Sequence, residues 1–215
     1  MRSSFSFNHL LLLLILLIGL GLRIFNFGEL SLGNDELSVL SRIQYDSFAE
    51  LIELGVKPDV HPAGIQVLAF YWTGMFGDSP LALRFPFLLA GLLSILIAYK
   101  IGEDCFSEES GLLTAACMAC LQYFISLGVY ARPYALVLCF GLGMVYFLTR
   151  IIQESSLRGY LGYALCAVIC LYFHYFSFLL VGSSALMGLI FVSAEKRKGF
   201  LLSLLLIGLL YLPHL

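Results

Sequence analysis

Seven stretches of the chain carry almost nothing but apolar side chains: residues 8–27, 81–101, 111–129, 134–149, 160–174, 177–193 and 200–212. A helix needs about 20 such residues to cross the hydrocarbon core of a bilayer, so each stretch predicts a membrane span, with loose ends where it runs short. Residues 61–76 are also apolar, but the segment is shorter and opens on His61-Pro62. If it crossed, Arg150, Arg158 and the cluster Lys196-Arg197-Lys198 would all face outward. If it lies along the surface, those residues join Arg2 and Lys100 inside, as the positive-inside rule requires. The second arrangement is adopted, with the N-terminus cytoplasmic. It leaves a long first extracytoplasmic loop, residues 28–80. Within that loop Ser47-Phe-Ala-Glu50 is a capping-box pattern, and Gly55 with Pro58 supplies a stop, so a short surface helix is expected ahead of the 61–76 helix. The predicted fold class is an all-α integral membrane protein of about seven transmembrane helices. Its long outer loop contains surface helices, and no repeat or linker divides residues 1–215, which read as a single module.

Composition supports this. The chain is 60% hydrophobic and 12% charged, against about 45–50% apolar and 25% charged in a soluble domain. The formal charge is -2, and no Lys/Arg stripe offers a surface for nucleic acid. Arg2 and the run 10–22 resemble a signal peptide. However, Arg23-Ile-Phe-Asn-Phe follows in place of a small-x-small cleavage site, so the segment reads as an uncleaved first span. Cys117-x-x-Cys120 has the spacing of half a redox or zinc site, but its neighbours are apolar and no second pair completes it. These two cysteines, like Cys166 and Cys170, read as small buried helix residues, and no disulfide framework is implied.

The remaining polar residues gather at the outer face. Eight of the 14 acidic residues fall in the long loop: Glu29, Asp35, Glu36, Asp46, Glu50, Glu53, Asp59 and Asp78. Most read as solvated helix faces. Asp35-Glu36 stands apart as an adjacent pair just beyond the first span. His61 opens the second surface helix, and Arg84 stands at the outer start of the second span. Tyr130-Ala-Arg-Pro-Tyr134 and the turn at His174-Tyr175 complete the set. Each has a plainer reading. Arg84 would snorkel to headgroups, His174 would anchor the interface, and Asn34 or Asp35 would cap a surface helix. Ionisable groups from distant parts of the chain on one membrane face nevertheless point to a site.

Five ordered stretches carry a family resemblance: Gly33-Asn-Asp-Glu-Leu-Ser38, Asp59-Val-His-Pro-Ala63, Phe76-Gly-Asp-Ser-Pro-Leu-Ala-Leu-Arg-Phe-Pro86, Tyr130-Ala-Arg-Pro-Tyr134 and Tyr172-Phe-His-Tyr-Phe176. Together they resemble the bacterial GT-C glycosyltransferases related to protein O-mannosyltransferases and the lipid A aminoarabinose transferase. The resemblance implies inverting transfer from a polyprenyl-phosphate-linked sugar to an acceptor hydroxyl at the extracytoplasmic face of the plasma (inner) membrane. It implies Asp35 as general base or metal ligand, with Glu36 beside it. Arg132, His61 and Arg84 would bind the donor phosphate, and Tyr130, Tyr134, His174 and Tyr175 would line the substrate pocket. No cofactor is specified; a divalent ion would have Asp35, Glu36 and His61 to share. The expected partners are the lipid donor and the bilayer itself.

Three departures qualify the match. Arg132 precedes Pro133 where some relatives carry an acidic residue, which removes a metal ligand. The loop 100–110 holds four acidic residues where relatives are basic. Relatives are also commonly about twice as long, so the chain is expected to lack a C-terminal region. An inactive fragment or scaffold is therefore one alternative. A polytopic transporter is another, although the span interiors are nearly free of the midplane charges that transporters use.

Overall fold

The computed structural model describes residues 7–25 and 27–214; Arg2, Asn26 and Leu215, which entered the sequence reading, lie outside them. Among the described residues there are helices and turns and no strand. In chain order the helices are α1 (Phe7–Ile24), α2 (Asn34–Ser41), α3 (Phe48–Glu50), α4 (Gly64–Phe76), α5 (Pro80–Cys105) and α6 (Glu108–Cys120). They continue with α7 (Gln122–Val129), α8 (Pro133–Gln153), α9 (Leu157–Phe173), α10 (Ser177–Phe191) and α11 (Ala194–Tyr211). The helix begun by α3 continues as a π-helical stretch over Leu51–Val56, and a 3-10 turn, Leu212–His214, follows α11.

All seven expected spans are helical. Four helices, α1, α5, α8 and α11, are long and apolar enough to cross a membrane, and α6 with α7 makes a fifth if the bent pair is one span. The other two, α9 and α10, have 17 and 15 residues, below the usual crossing length, so length alone does not yield seven spans. Much of the apolar surface stays outside the bundle. Leu10, Leu14 and Leu17 of α1, Leu89 and Leu93 of α5, and Leu179, Leu186 and Ile190 of α10 are exposed. A soluble protein does not leave such a girdle in water, whereas in a bilayer it costs nothing. The helix α4 has only 13 residues, as expected of a segment that does not cross.

Small residues decide how closely the helices approach. A Cβ on Gly102 would stand 2.8 Å from the Cα of Gly111, so α5 and α6 meet backbone to backbone. The break between α6 and α7 is a 60° bend, and its freed carbonyls need donors. Arg23 supplies them from α1. It is fully buried and donates to Met118 O at 3.0 Å, Ala119 O at 3.2 Å and Phe124 O at 3.3 Å. In the sequence Arg23 argues only against a cleavage site after the first apolar run, and nothing there marks it as a buried donor. The pattern also reads Cys117 and Cys120 as buried, yet both are exposed on α6. Cys139, Cys166 and Cys170 are buried, and no disulfide joins any of the six.

The two ends of the bundle differ. One end gathers the starts of α5 and α8, the ends of α7, α9 and α11, and the short helices α2 to α4. The opposite end carries Lys100, Glu103, Asp104, Arg150 and Glu154. There Lys100 pairs with Glu103 and Asp104, and Arg150 with Asp104 and Glu154. The acidic residues of the loop 100–110 that departed from the family pattern are thus partly neutralised by neighbouring bases.

Candidate active site

The α2 helix stands over the polar end, and its first turn sets out the site. Its N-cap is Gly33, not Asn34 or Asp35. The helix therefore turns Asp35 and Glu36 in different directions.

Glu36 faces inward and is 1% exposed. Its Oε1 accepts from Arg84 Nε at 2.8 Å and from the Ala131 amide at 2.9 Å. Its Oε2 accepts from Arg84 Nη2 at 2.7 Å and from the Gly33 amide at 3.0 Å. Arg84 is fully buried, and it spends its remaining N–H groups on the carbonyls of Phe27 (3.2 Å), Leu30 (2.8 Å) and Ser31 (3.0 Å). A guanidinium has five N–H donors, and all five are taken. Burial by itself would push the Glu36 carboxyl up. The hydrogen bonds from Arg84, Ala131 and Gly33 outweigh it and hold the group below its ordinary value. This is a knot joining the α1–α2 connection, α2, α5 and the α7–α8 turn. It corrects two expectations: Arg84 has no N–H left for a phosphate, and Glu36 has no free lone pair with which to take a proton or bind a metal.

Asp35 faces the other way, with its side chain 64% exposed, and meets Arg132 Nη2 at 2.9 Å. Both line a cavity of about 410 Å³ together with Asn34, Ser126, Tyr130 and Tyr134. The Arg132 guanidinium lies 5.7 Å over the Tyr134 ring, and that ring packs against His174 at 5.5 Å. The ring nitrogen Nδ1 of His174 accepts the Phe176 amide at 3.2 Å, which leaves the proton to Nε2. Burial, then the nearby His61 and Arg132, push the His174 pKa down.

A second, narrow pocket of about 120 Å³ continues from the first, and Asp35 and Arg132 wall it on one side with Asp59, His61 and Gln66 on the other. Asp59 and His61 in turn line a larger cavity, about 990 Å³, whose other walls include Phe48, Val67, Trp72, Phe173 and Tyr175. The narrow pocket thus shares Asp35 and Arg132 with the first cavity and Asp59 and His61 with the third. Of the expected residues, Asp35, Glu36, Arg132, His61, Tyr130, Tyr134 and Tyr175 line these spaces, and His174 backs Tyr134. The expected metal set does not form: among the described residues no group of three His, Cys, Asp or Glu is arranged to hold an ion.

Asp59 was not singled out in the sequence, although it lies two residues before His61 in a quoted motif. It was counted as a solvated acid, yet its side chain is only 6% exposed. Gln66 and Arg42, which contact it, carried no sequence signal beyond being polar in an apolar neighbourhood.

A helical bundle with apolar outer faces and a polar, cavity-lined cleft at one end defines a class, the polytopic membrane proteins. The family model for dolichyl-phosphate-mannose-protein mannosyltransferase matches residues 60–215. The match covers most of the chain, which belongs to this family; it is a membrane glycosyltransferase of mannosyltransferase-like type. The matched range begins after α2, so Asp35 and Glu36 precede it. No curated protein and no solved structure matches the chain.

Proposed function

We propose that the protein transfers a sugar, with inversion, from a polyprenyl-phosphate donor to an acceptor hydroxyl at the extracytoplasmic face of the plasma membrane. The observation that carries this reading is the Asp35–Arg132 pair at 2.9 Å, poised where two cavities meet. Asp35 is the general base: its exposed carboxylate takes the acceptor proton as the acceptor oxygen attacks the anomeric carbon. The bond from that carbon to the phosphate oxygen breaks, and the departing polyprenyl phosphate gains a negative charge. Arg132, with two parallel N–H groups, and His61 stabilise that charge where it develops.

The arrangement also supports an order of events. Arg132 cannot grip phosphate and Asp35 fully at once. Donor binding therefore draws Arg132 away and frees the Asp35 carboxylate for the acceptor. The 990 Å³ cavity, with its aromatic and aliphatic walls and polar end at Asp59 and His61, suits the isoprenoid chain. The 410 Å³ cavity, with Asn34, Ser126 and Tyr130, suits the sugar and the acceptor hydroxyl.

The test uses purified protein in nanodiscs, with radiolabelled polyprenyl-phosphate mannose and an envelope extract as acceptor source. Transfer by the parent and none by Asp35→Asn is expected; equal transfer by both would remove Asp35 as the base. The proposed orientation predicts that a membrane-impermeant thiol reagent labels Asp46→Cys on intact cells, in a background without the native cysteines.

A further inference from the structure

Among the described residues, Asp59 is a largely buried carboxylate at this end of the molecule that neither the Glu36 knot nor the proposed chemistry uses. Its Oδ1 accepts the Val60 amide at 2.7 Å and meets His61 Nδ1 at 3.2 Å. Arg42 Nη1 stands 3.5 Å from the same oxygen. Its Oδ2 accepts from Gln66 Nε2, and Gln66 is 1% exposed. Arg42 follows the last residue of α2, and Gln66 lies in the first turn of α4. The carboxylate thus joins α2, the 57–62 turn and α4, while the His61 side chain remains 46% exposed in the cleft.

We propose that Asp59 is a positioning residue for transfer, acting through His61. The inference rests on His61 contacting the donor phosphate, as in the reading above. An imidazole on a surface turn rotates about two side-chain torsions, and either of its nitrogens can carry the proton. A carboxylate at Nδ1 removes both freedoms: it keeps the proton on Nδ1 and fixes the ring plane. Nε2 is then the nitrogen left for the cleft, and a protonated ring donates to the departing phosphate from that atom. Gln66 fixes the carboxylate in turn, since its amide occupies the second oxygen and prevents rotation. Arg42 balances the charge of Asp59 from the α2 side, and His174 stands close enough for its own titration to feel His61. The same contacts would also serve a purely architectural purpose, bracing the 57–62 turn. The two roles differ in one measurable respect: a brace acts whether or not an imidazole is present at residue 61, and a positioning residue does not.

The experiment is a double-mutant cycle on transfer kinetics in nanodiscs, with Asp59→Asn, His61→Ala and the pair, and melting temperature recorded for each. His61→Ala should lower kcat roughly 10²-fold, as loss of one charge-stabilising donor does. Asp59→Asn should lower kcat roughly tenfold, and should add nothing in the His61→Ala background. Independent, multiplying losses would overturn the positioning role and leave Asp59 a brace. Full activity of Asp59→Asn would overturn it too. If His61→Ala is fully active, His61 does not contact the donor, and both the inference and that part of the proposed function fail. If His61→Ala is impaired while Asp59→Asn is not, only the inference fails. Should Asp59→Asn not yield monodisperse protein, Gln66→Leu replaces it in the cycle. That variant frees the carboxylate to rotate, and it should show the same loss of effect once His61 is removed; a full additive effect would count against the proposal.

Discussion

Two arginine–carboxylate pairs hang from the first turn of α2, one residue apart in sequence and opposite in character. In the Glu36–Arg84 pair both side chains are dry, the contact is bidentate, and every remaining donor of the arginine meets a backbone carbonyl. In the Asp35–Arg132 pair a carboxylate 64% exposed meets an arginine 28% exposed through one contact at 2.9 Å. The first pair cannot open without stranding a charge in an apolar interior, where it is costly. The second faces water and exchanges partners freely, because an exposed pair contributes only about 0–1 kcal/mol. The difference teaches how a protein of this kind separates architecture from chemistry. The same two residue types make a fixed joint when desolvated and saturated, and an open, solvent-facing contact when one side is left free.

The comparison can be broken most forcefully at the dry pair. Glu36→Gln leaves Arg84 with a buried, uncompensated charge and should cost about 3–5 kcal/mol of stability. It would be read as a large drop in melting temperature and yield in detergent. A melt like that of the parent would show that the knot is not structural. Asp35→Asn should do the reverse, leaving the melt within about 0.5 kcal/mol of the parent while transfer falls by roughly 10²- to 10⁴-fold. If Asp35→Asn destabilises as much as Glu36→Gln, the separation of roles is false. Arg132→Ala should lower kcat by roughly 10²-fold with little effect on the melt, and Arg132→Lys should recover only part of it, since an ammonium cannot make the two parallel bonds.

The smallest effect is a pH dependence. Glu36 has its pKa held below the unfolded value. Its contribution to stability is therefore fully present above the unfolded pKa and is lost as pH falls through the folded one. The parent's melting temperature should decline below about pH 4, and the decline should be shallower in Glu36→Gln. Parallel curves for the two proteins would assign the acid sensitivity elsewhere.

How much of this was legible in the chain depends on the range of the forces involved. Apolar runs separated by polar joints identified every long helix, because burial of an apolar side chain in lipid depends on its own chemistry. The failures share a cause. Arg84 was read as a phosphate ligand because its partner Glu36 lies 48 residues away, and no local pattern reveals that their side chains meet. Arg23 gave no sign of its buried role because its acceptors lie about a hundred residues on, in the bend of α6 and α7. Cys117 and Cys120 were read as buried because small residues favour helix contacts, and α6 turns them outward instead. Asp59 was passed over because acidic residues in a loop are usually solvated.

The sequence by itself determined that this protein lives in a membrane, where its helices lie, and which residue types collect in the long loop. It also carried the ordered motifs of its family. Tertiary structure decided which of two adjacent carboxylates is saturated and which is open, which arginine is buried with every donor taken and which is part-exposed, and that Asp59 lies against His61. The physical reason is that hydrophobicity is a property of single residues summed along a chain. The state of a charged group is set by the few donors and acceptors within about 3 Å of it, and only the fold brings those together.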